Sequence, residues 1–301
     1  MRVKEGLIRL ELDTGFGTWV QYSTMKLAIF SDVHGNVPAL NAVLEDIARF
    51  EPDAVVMNGD LVSRGPYSLD CLRLLQRDWP EMRLQTGNHE TYVLRCVDEP
   101  ADADSPTLEI DRFAEWAMRQ LGDAVEDIRR WQDHWDRTDL PGGASFHVTH
   151  GSRLGNRDGI SVRTRNEELP AKLGEHRDLF VGSHTHRPLI REFEQRLVVN
   201  TGSVGQPMDG DPRASYGRFQ LQGSDWRADI RRVDYDKARA EQDFEESGFL
   251  AEAGPMARLI FRELRESRPH VGPWRNRFMD AVKRREISVT EAVDRYLAER
   301  V

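Results

Sequence analysis

Along this chain, short solid runs of apolar residues alternate with longer stretches in which apolar positions return every three or four residues. Leu27-Ala28-Ile29-Phe30 is one such run, the pattern of a strand covered on both faces. After it, Asn36 and Pro38 have the chemistry of a helix start, and Leu40, Val43, Leu44 and Ile47 recur at helical spacing until Pro52-Asp53. Ala54-Val55-Val56-Met57 predicts a second buried strand, which makes the segment a βαβ unit. A helix through Leu69, Leu72 and Leu75 and a short strand over Met82-Arg83-Leu84-Gln85 continue the alternation. Further strands are expected from Ser145 to Thr149, at Leu179-Phe180-Val181 and at Leu197-Val198-Val199. A hairpin over residues 214–234 turns at Gly223-Ser224.

Two regions depart from this rhythm. Residues 97–140 begin with a loop from Pro100 to Pro106 and then predict two amphipathic helices. One carries Ile110, Phe113, Ala117 and Leu121, the other Ile128, Trp131 and Trp135, and Pro141-Gly142-Gly143 closes the excursion. It reads equally as an insertion capping a site and as a helical layer against the sheet. From Tyr235 onward the chain is helical and highly charged, with Ser288 and Glu291 at capping-box spacing. Its charges read as solvated faces, without chemistry. The expected organisation is an N-terminal extension (1–24), a main domain (25–234) with a helical insertion (97–140), and a helical C-terminal extension (235–301). Residues 1–24 hold no continuous apolar segment of the secretory kind. Met25 stands directly before the first core strand and reads as the true start of translation; the alternative is a peripheral strand at Leu7-Ile8-Arg9-Leu10.

Composition narrows the class. With 301 residues, 39% of them hydrophobic and 31% charged, the chain has enough apolar mass for a full core and the length of one large domain or of one domain plus an appendage. A net charge of -9 argues against a broad electrostatic grip on nucleic acid. Cys71 and Cys96 are too few for a disulfide framework and lack metal-site spacing, which fits a reducing, cytoplasmic compartment. No apolar stretch approaches the roughly 20 residues of a membrane span.

The chemistry sits where the apolar runs stop. The first ends in Asp32-Val33-His34, the second in Asn58-Gly59-Asp60, and the third strand in Gly87-Asn88-His89-Glu90. His150-Gly151 and His184-Thr185-His186 end two more, whereas His147, in mid-strand, reads as structural. Parallel strands deliver their carboxyl ends to one edge, so Asp32, His34, Asp60, Asn88, His150, His184 and His186 can converge on one crevice. Two Asp, four His and one amide, with no thiolate, suit manganese, iron or zinc better than calcium or a structural thiolate site. The expected cofactor is two divalent ions, manganese foremost, with iron, zinc or nickel as the other choices. If one carboxylate bridges, these residues offer eight contacts to two ions. Such a pair, about 3.5–4 Å apart, can lower the pKa of a water and clamp an in-line displacement at phosphorus. Arg64 and His89 lie in the same strand-end loops and can supply donors to the phosphate oxygens.

Taken in order, Asp32-Val33-His34, Gly59-Asp60-x-x-x-Arg64-Gly65, Gly87-Asn88-His89-Glu90, His150-Gly151 and His184-Thr185-His186 resemble the calcineurin-like metallophosphoesterases, over roughly residues 25–205. The stretch from Asn200 to Tyr216 is similar to that of small bacterial and archaeal phosphodiesterases of the superfamily. The loop from Gly59 to Gly65 resembles the branch of diadenosine tetraphosphatases and Ser/Thr protein phosphatases. The resemblance implies an α/β fold, a four-layer α/β/β/α sandwich of two mixed β-sheets flanked by helices. It also implies that Asp32, His34, Asp60 and His186 bind one metal and Asp60, Asn88, His150 and His184 the other, with Asp60 bridging. His89 would contact phosphate and protonate the leaving oxygen, and Arg64 would bind phosphate. One position departs: Ser63 stands where the protein phosphatases carry an Asp that orients the equivalent of His89.

The activity so implied is hydrolysis of phosphate esters by metal-activated water, foremost a phosphodiesterase acting on small or nucleotide-like esters. Hydrolysis of dinucleoside polyphosphates and a protein-phosphatase-like phosphomonoesterase are the enzymatic alternatives, the latter weakened by Ser63. A catalytically silent scaffold is the alternative of another class, since one retromer subunit keeps this fold as a binding module. The expected partner is a small phosphoester, with a nuclease role disfavoured by the acidic balance and the oligomeric state left open.

Overall fold

The computed structural model describes residues 4–11, 17–99 and 101–299. The solid apolar runs are strands covered on both faces. Along β2 (Gly17–Phe30), which follows β1 (Lys4–Glu11), Leu27 and Ile29 enter one apolar cluster while Ala28 and Phe30 enter another. The chain continues through α1 (Val37–Phe50), β3 (Ala54–Asn58), α2 (Ser68–Asp78), β4 (Arg83–Gln85), α3 (Asn88–Asp98), α4 (Arg112–Leu121), α5 (Val125–Ile128) and β5 (His134–Arg137). Then come β6 (Phe146–Thr149), α6 (Leu169–Leu173), β7 (Leu179–Gly182), β8 (Leu189–Phe193), β9 (Arg196–Asn200), β10 (Ala214–Gln222) and β11 (Asp225–Val233). The C-terminal helices are α7 (Lys237–Glu246), α8 (Phe249–Glu252), α9 (Met256–Glu266), α10 (Val271–Lys283) and α11 (Val289–Ala298).

Two mixed sheets result. The first has the order β11-β10-β2-β3-β4, with β2, β3 and β4 parallel and β1 paired antiparallel to the first half of β2. The second has the order β5-β6-β7-β9-β8, with β6, β7 and β9 parallel between antiparallel edges. Leu27, Ile29 and Val56 of the first sheet face Val148, Val181 and Val199 of the second. Helices α1 and α2 cover the outer face of the first sheet, and Leu169 and Leu173 of α6 pack on Phe180 and Val198 of the second. This is the expected α/β/β/α sandwich, and its two parallel triplets aim their carboxyl ends at one rim.

Three expectations about the path of the chain change. Only Val125–Ile128 of the second helix predicted in 97–140 is α-helical; Trp135 belongs to strand β5, paired opposite Val148 with its ring 4.8 Å from that of Phe146. Trp131 and Trp135 lie four apart, a spacing that a helix turn and a strand edge both permit. Strand β8 was not expected, because its turn to β9 uses Glu194 and Gln195 in the left-handed region (φ 47° and 61°) instead of the usual Asn-Gly. The charged C-terminal segment does not stand apart. Phe244, Met256, Ile260, Trp274 and Val293 share one continuous apolar cluster with Leu40, Leu72 and Phe113. The segment Leu7-Ile8-Arg9-Leu10 lies in β1, and β2 contains Met25.

Candidate metal centre

Each parallel strand of the rim hands over to a tight loop, and the loops are sewn to one another through the backbone. Asp32 N–H donates to the Gly59 carbonyl at 3.0 Å, Val33 N–H to Asp60 at 2.8 Å, and Gly205 N–H to Asp32 at 2.9 Å. Gly87 is required here, since a Cβ at this position would lie 2.2 Å from Asp60 Oδ1. Seven of the twelve non-glycine residues with positive φ among the described residues are Asp32, His34, Asp60, Ser63, Arg64, His184 and His186. Backbone strain of this kind persists only where the surroundings enforce it, and it concentrates at functional sites.

The seven residues expected to meet do meet. His186 Nε2 lies 3.2 Å from Asp32 Oδ1 and 3.2 Å from His34 Nε2, and His34 Nε2 is 3.9 Å from Asp60 Oδ2. On the other side of Asp60, His150 Nε2 lies 3.2 Å from Oδ2 and 3.2 Å from Asn88 Oδ1. Ligand atoms of Asp32, His34, Asp60 and His186 form one group, those of Asp60, His150 and His184 another, each within 4.8 Å. Asp60 is common to both. Except for half-buried His184, all are buried.

The donor set fits divalent cations. Carboxylates and imidazoles packed this closely turn more acceptor atoms on one another than they have donors to match, a crowding that a divalent cation among them relieves. Asp32 Oδ1, which faces the cluster, is buried without any hydrogen-bond partner. The outer nitrogens of two histidines are occupied instead: His186 Nδ1 lies 2.6 Å from the Gln206 carbonyl and His150 Nδ1 2.9 Å from that of Asn58. These bonds make Nδ1 the protonated nitrogen and leave Nε2 to face the centre. Ser31 Oγ donates to Asp32 Oδ2 at 2.6 Å, which turns the carboxylate's other oxygen inward.

Electrostatics follow from burial and mutual proximity. Burial pushes His89 down to about 3 and His184 to about 4, so both are neutral imidazoles. His34 is held well below its ordinary value by burial and by His89. Burial also works to raise Asp60, but His150 and His89 outweigh it and keep this carboxyl ionised. His150 moves up to about 10 because the two aspartates overcome its own burial.

Several contacts that shape the site, and the residues Gln206 and Glu263 altogether, escape the sequence pattern. Glu90 accepts the backbone N–H groups of Asp60 (2.8 Å), Leu61 (2.8 Å) and Gly87 (2.7 Å), tying the second and third loops together. Its position three residues after a helix-capping glycine is the one local signal that marks it. Ser63 Oγ sits 3.3 Å from His89 Nδ1, so a hydroxyl occupies the place of the orienting carboxylate. Arg64 is not a free cation. Its Nε donates to Gln206 Oε1 at 2.9 Å, and its guanidinium is ion-paired with Glu263 of α9, buried and 199 positions away. Glu263 in turn accepts the His270 and Val271 N–H groups at the start of α10, at 2.6 and 2.8 Å. The C-terminal helices therefore reach the site directly, contrary to their reading as solvated faces alone.

A cavity of about 510 Å³ opens from Asp60, Asn88, His184 and His186 and is walled by Arg64, His89, Phe113 and residues of α9 and α10. A two-sheet sandwich with carboxylates and imidazoles gathered at its parallel strand ends defines a metal-centred class of protein. Residues 25–224 match the family model described as "Calcineurin-like phosphoesterase superfamily domain", and the chain belongs to that superfamily.

Relatives named "Bis(5'-nucleosyl)-tetraphosphatase, symmetrical" include one from Yersinia enterocolitica, 35% identical over 113 residues, and one from Serratia proteamaculans, 36% identical over 106. The matched stretches cover 34% and 32% of this chain and only 38% and 37% of those relatives' own lengths. A metallophosphoesterase from Sphaerobacter thermophilus is similar in structure, with a TM-score of 0.64 and 26% identity over 81% of this chain and 99% of that one. A hypothetical protein from Pyrococcus horikoshii OT3 shares the fold at a TM-score of 0.65 and 18% identity, with the same coverage of both chains. No described helix is long and apolar enough to cross a membrane.

Proposed function

We propose that this chain hydrolyses phosphate esters at two divalent cations, held by Asp32, His34, Asp60 and His186 and by Asp60, Asn88, His150 and His184. The observation that carries this reading is the sharing of Asp60 by two ligand groups at the floor of an open cavity. Two cations bound there supply a lowered water pKa and neutralise the charge of the phosphoryl group. The protein's own part is positional: Glu90 fixes the Asp60 loop, and the Nδ1 contacts of His150 and His186 fix their rings. His89 borders the cavity beside Asp60 and is neutral in the free site. The arriving phosphate, an anion, favours its protonation, and His89 then gives that proton to the leaving oxygen. Arg64, held in place by Gln206 and Glu263, presents its remaining donors to a phosphate oxygen.

A phosphodiester of small or nucleotide-like kind is the favoured substrate, and manganese the favoured ion. A dinucleoside polyphosphate is the second reading; the names of the matched relatives and the cavity volume favour it. The unpaired Cys71 and Cys96 support a reducing, cytoplasmic setting.

The test is turnover of bis(p-nitrophenyl) phosphate, p-nitrophenyl phosphate and diadenosine tetraphosphate with manganese, iron, nickel, zinc or magnesium. Metal-dependent release from the diester or the tetraphosphate supports the reading, and release from the monoester alone would select a phosphomonoesterase. Metal-loaded protein inert towards all three would leave the scaffold. Asp60→Asn should lose bound metal and turnover together; retained metal-dependent activity would contradict the bridging role.

A further inference from the structure

Part of the cavity wall is built by α10, and its sequence has two faces. Trp274, Phe278 and Val282 are buried in the main apolar cluster. Val271, Arg275, Met279 and Lys283, each four positions apart, form a single stripe that lines the cavity. Arg275 and Lys283 have no ion-pair partner among the described residues. Arg157, on the loop after β6, lines the same cavity without an ion-pair partner among the described residues; its guanidinium lies 5.4 Å from the ring centre of Tyr92.

The other cations of this cavity are already matched. Arg64 is paired with Glu263 and Arg95 with Asp111. Most arginines of this net-negative chain stand in ion pairs, whereas the three unmatched cations here share one cavity with the candidate metal cluster. An extra positive wall has no use for a substrate whose only charge is the phosphoryl group that would sit at the candidate metal cluster. It suits a substrate that carries further negative charge beyond the reacting phosphorus. Arg275 and Lys283 are two turns apart, a rise of about 12 Å along the axis, so together they line an elongated track. Ile110, Phe113 and Met279 supply apolar surface beside that track, of the kind that accepts a heterocyclic ring.

We infer that Arg275 and Lys283, with Arg157, form a distal anion subsite that selects phosphoesters bearing a second anionic group, an oligophosphate chain above all. The inference rests on the phosphoesterase reading for its catalytic half, while the subsite is a binding property in its own right. It assigns the C-terminal helices to substrate recognition.

The test compares wild type with Arg275→Gln/Lys283→Gln, both exposed positions, on diadenosine tetraphosphate and on bis(p-nitrophenyl) phosphate. The ratio of kcat/KM for the first to that for the second should fall about tenfold or more, through KM. A control, Arg277→Gln/Arg284→Gln, removes the same two charges from side chains already paired with Glu299 and Glu286. That variant should keep the ratio. An unchanged ratio in the first variant, or an equal fall in both, would overturn the subsite. If wild-type protein turns over neither substrate, the catalytic reading fails, and inorganic tripolyphosphate binding to the metal-loaded protein decides the subsite. Binding weakened about tenfold in Arg275→Gln/Lys283→Gln alone supports it, and equal binding by all three proteins overturns it.

Discussion

At the scale of single residues, the site works by denying its ligands any other partner. Asp32 Oδ1 is buried and unbonded, while the outer oxygen of Asp32 and the outer nitrogens of His150 and His186 are spoken for. Uncompensated polar atoms cost free energy, so the arrangement holds only with a cation to receive them or a rigid frame to enforce them. Glu90 and the sewn loops are that frame. His89 has a different position, at the cavity edge with Ser63 behind it. His89→Ala should therefore lower kcat by about 10²–10⁴ and leave the metal content, read by elemental analysis, unchanged. Ser63→Ala should lower kcat by less, about tenfold, because only the orientation of the ring is lost and its chemistry stays. A Ser63→Ala protein as impaired as His89→Ala would mean that the hydroxyl does more than orient.

At the scale of elements, one buried charge ties α1 to the first sheet. Asp46 of α1 accepts from Tyr216 at 2.8 Å and pairs with Arg218 of β10 and with Arg231 of β11, at 3.3 Å for the latter. Burial works to raise its pKa, but the hydrogen bonds from Arg231, Tyr216 and Arg218 outweigh it and hold the carboxyl well below its ordinary value. A carboxyl depressed in the folded state stabilises above its unfolded pKa, about 3.9, and that stabilisation is lost as pH falls towards the folded value. Asp46→Asn should be less stable than wild type by about 1–2 kcal/mol at pH 7, discounted for the partly exposed arginines. In urea unfolding the gap should close steadily below about pH 4; a gap independent of pH would assign the loss to packing instead.

The elements also show where the sequence was readable. The buried strands, α1 and the β10–β11 hairpin announce themselves, since solid apolar runs and helical periodicity are local signals. Strand β8 and the fate of Trp135 did not. An edge strand with a Glu-Gln turn lacks the usual punctuation, and an indole four residues from another satisfies helix and strand alike.

At the scale of the whole molecule, the proposed metal site ties cation binding to the stability of the fold. The ligands come from loops of both sheets, so unfolding scatters them and any cation that binds the folded state raises stability by mass action. Manganese at about a hundred times its dissociation constant should add roughly 2.7 kcal/mol, seen as a rise in Tm that a chelator reverses. Asp60→Asn should show little of that rise. A wild-type Tm indifferent to divalent ions would count against the site as a binding centre. The C-terminal helices belong to this scale too, because Glu263 joins Arg64 to the start of α10 across 199 positions.

What the sequence determined by itself is the set of strand ends and the residue types that stand on them. A parallel strand must expose its terminal loop at a common rim, so strand order alone gathers Asp32, His34, Asp60, Asn88, His150, His184 and His186. Tertiary structure alone decided what surrounds them. The pairing of Arg64 with Glu263, the hydroxyl of Ser63 beside His89 and the cationic stripe of α10 join residues far apart along the chain. No periodicity encodes such contacts, because they depend on how separate layers pack and not on the local geometry of either partner.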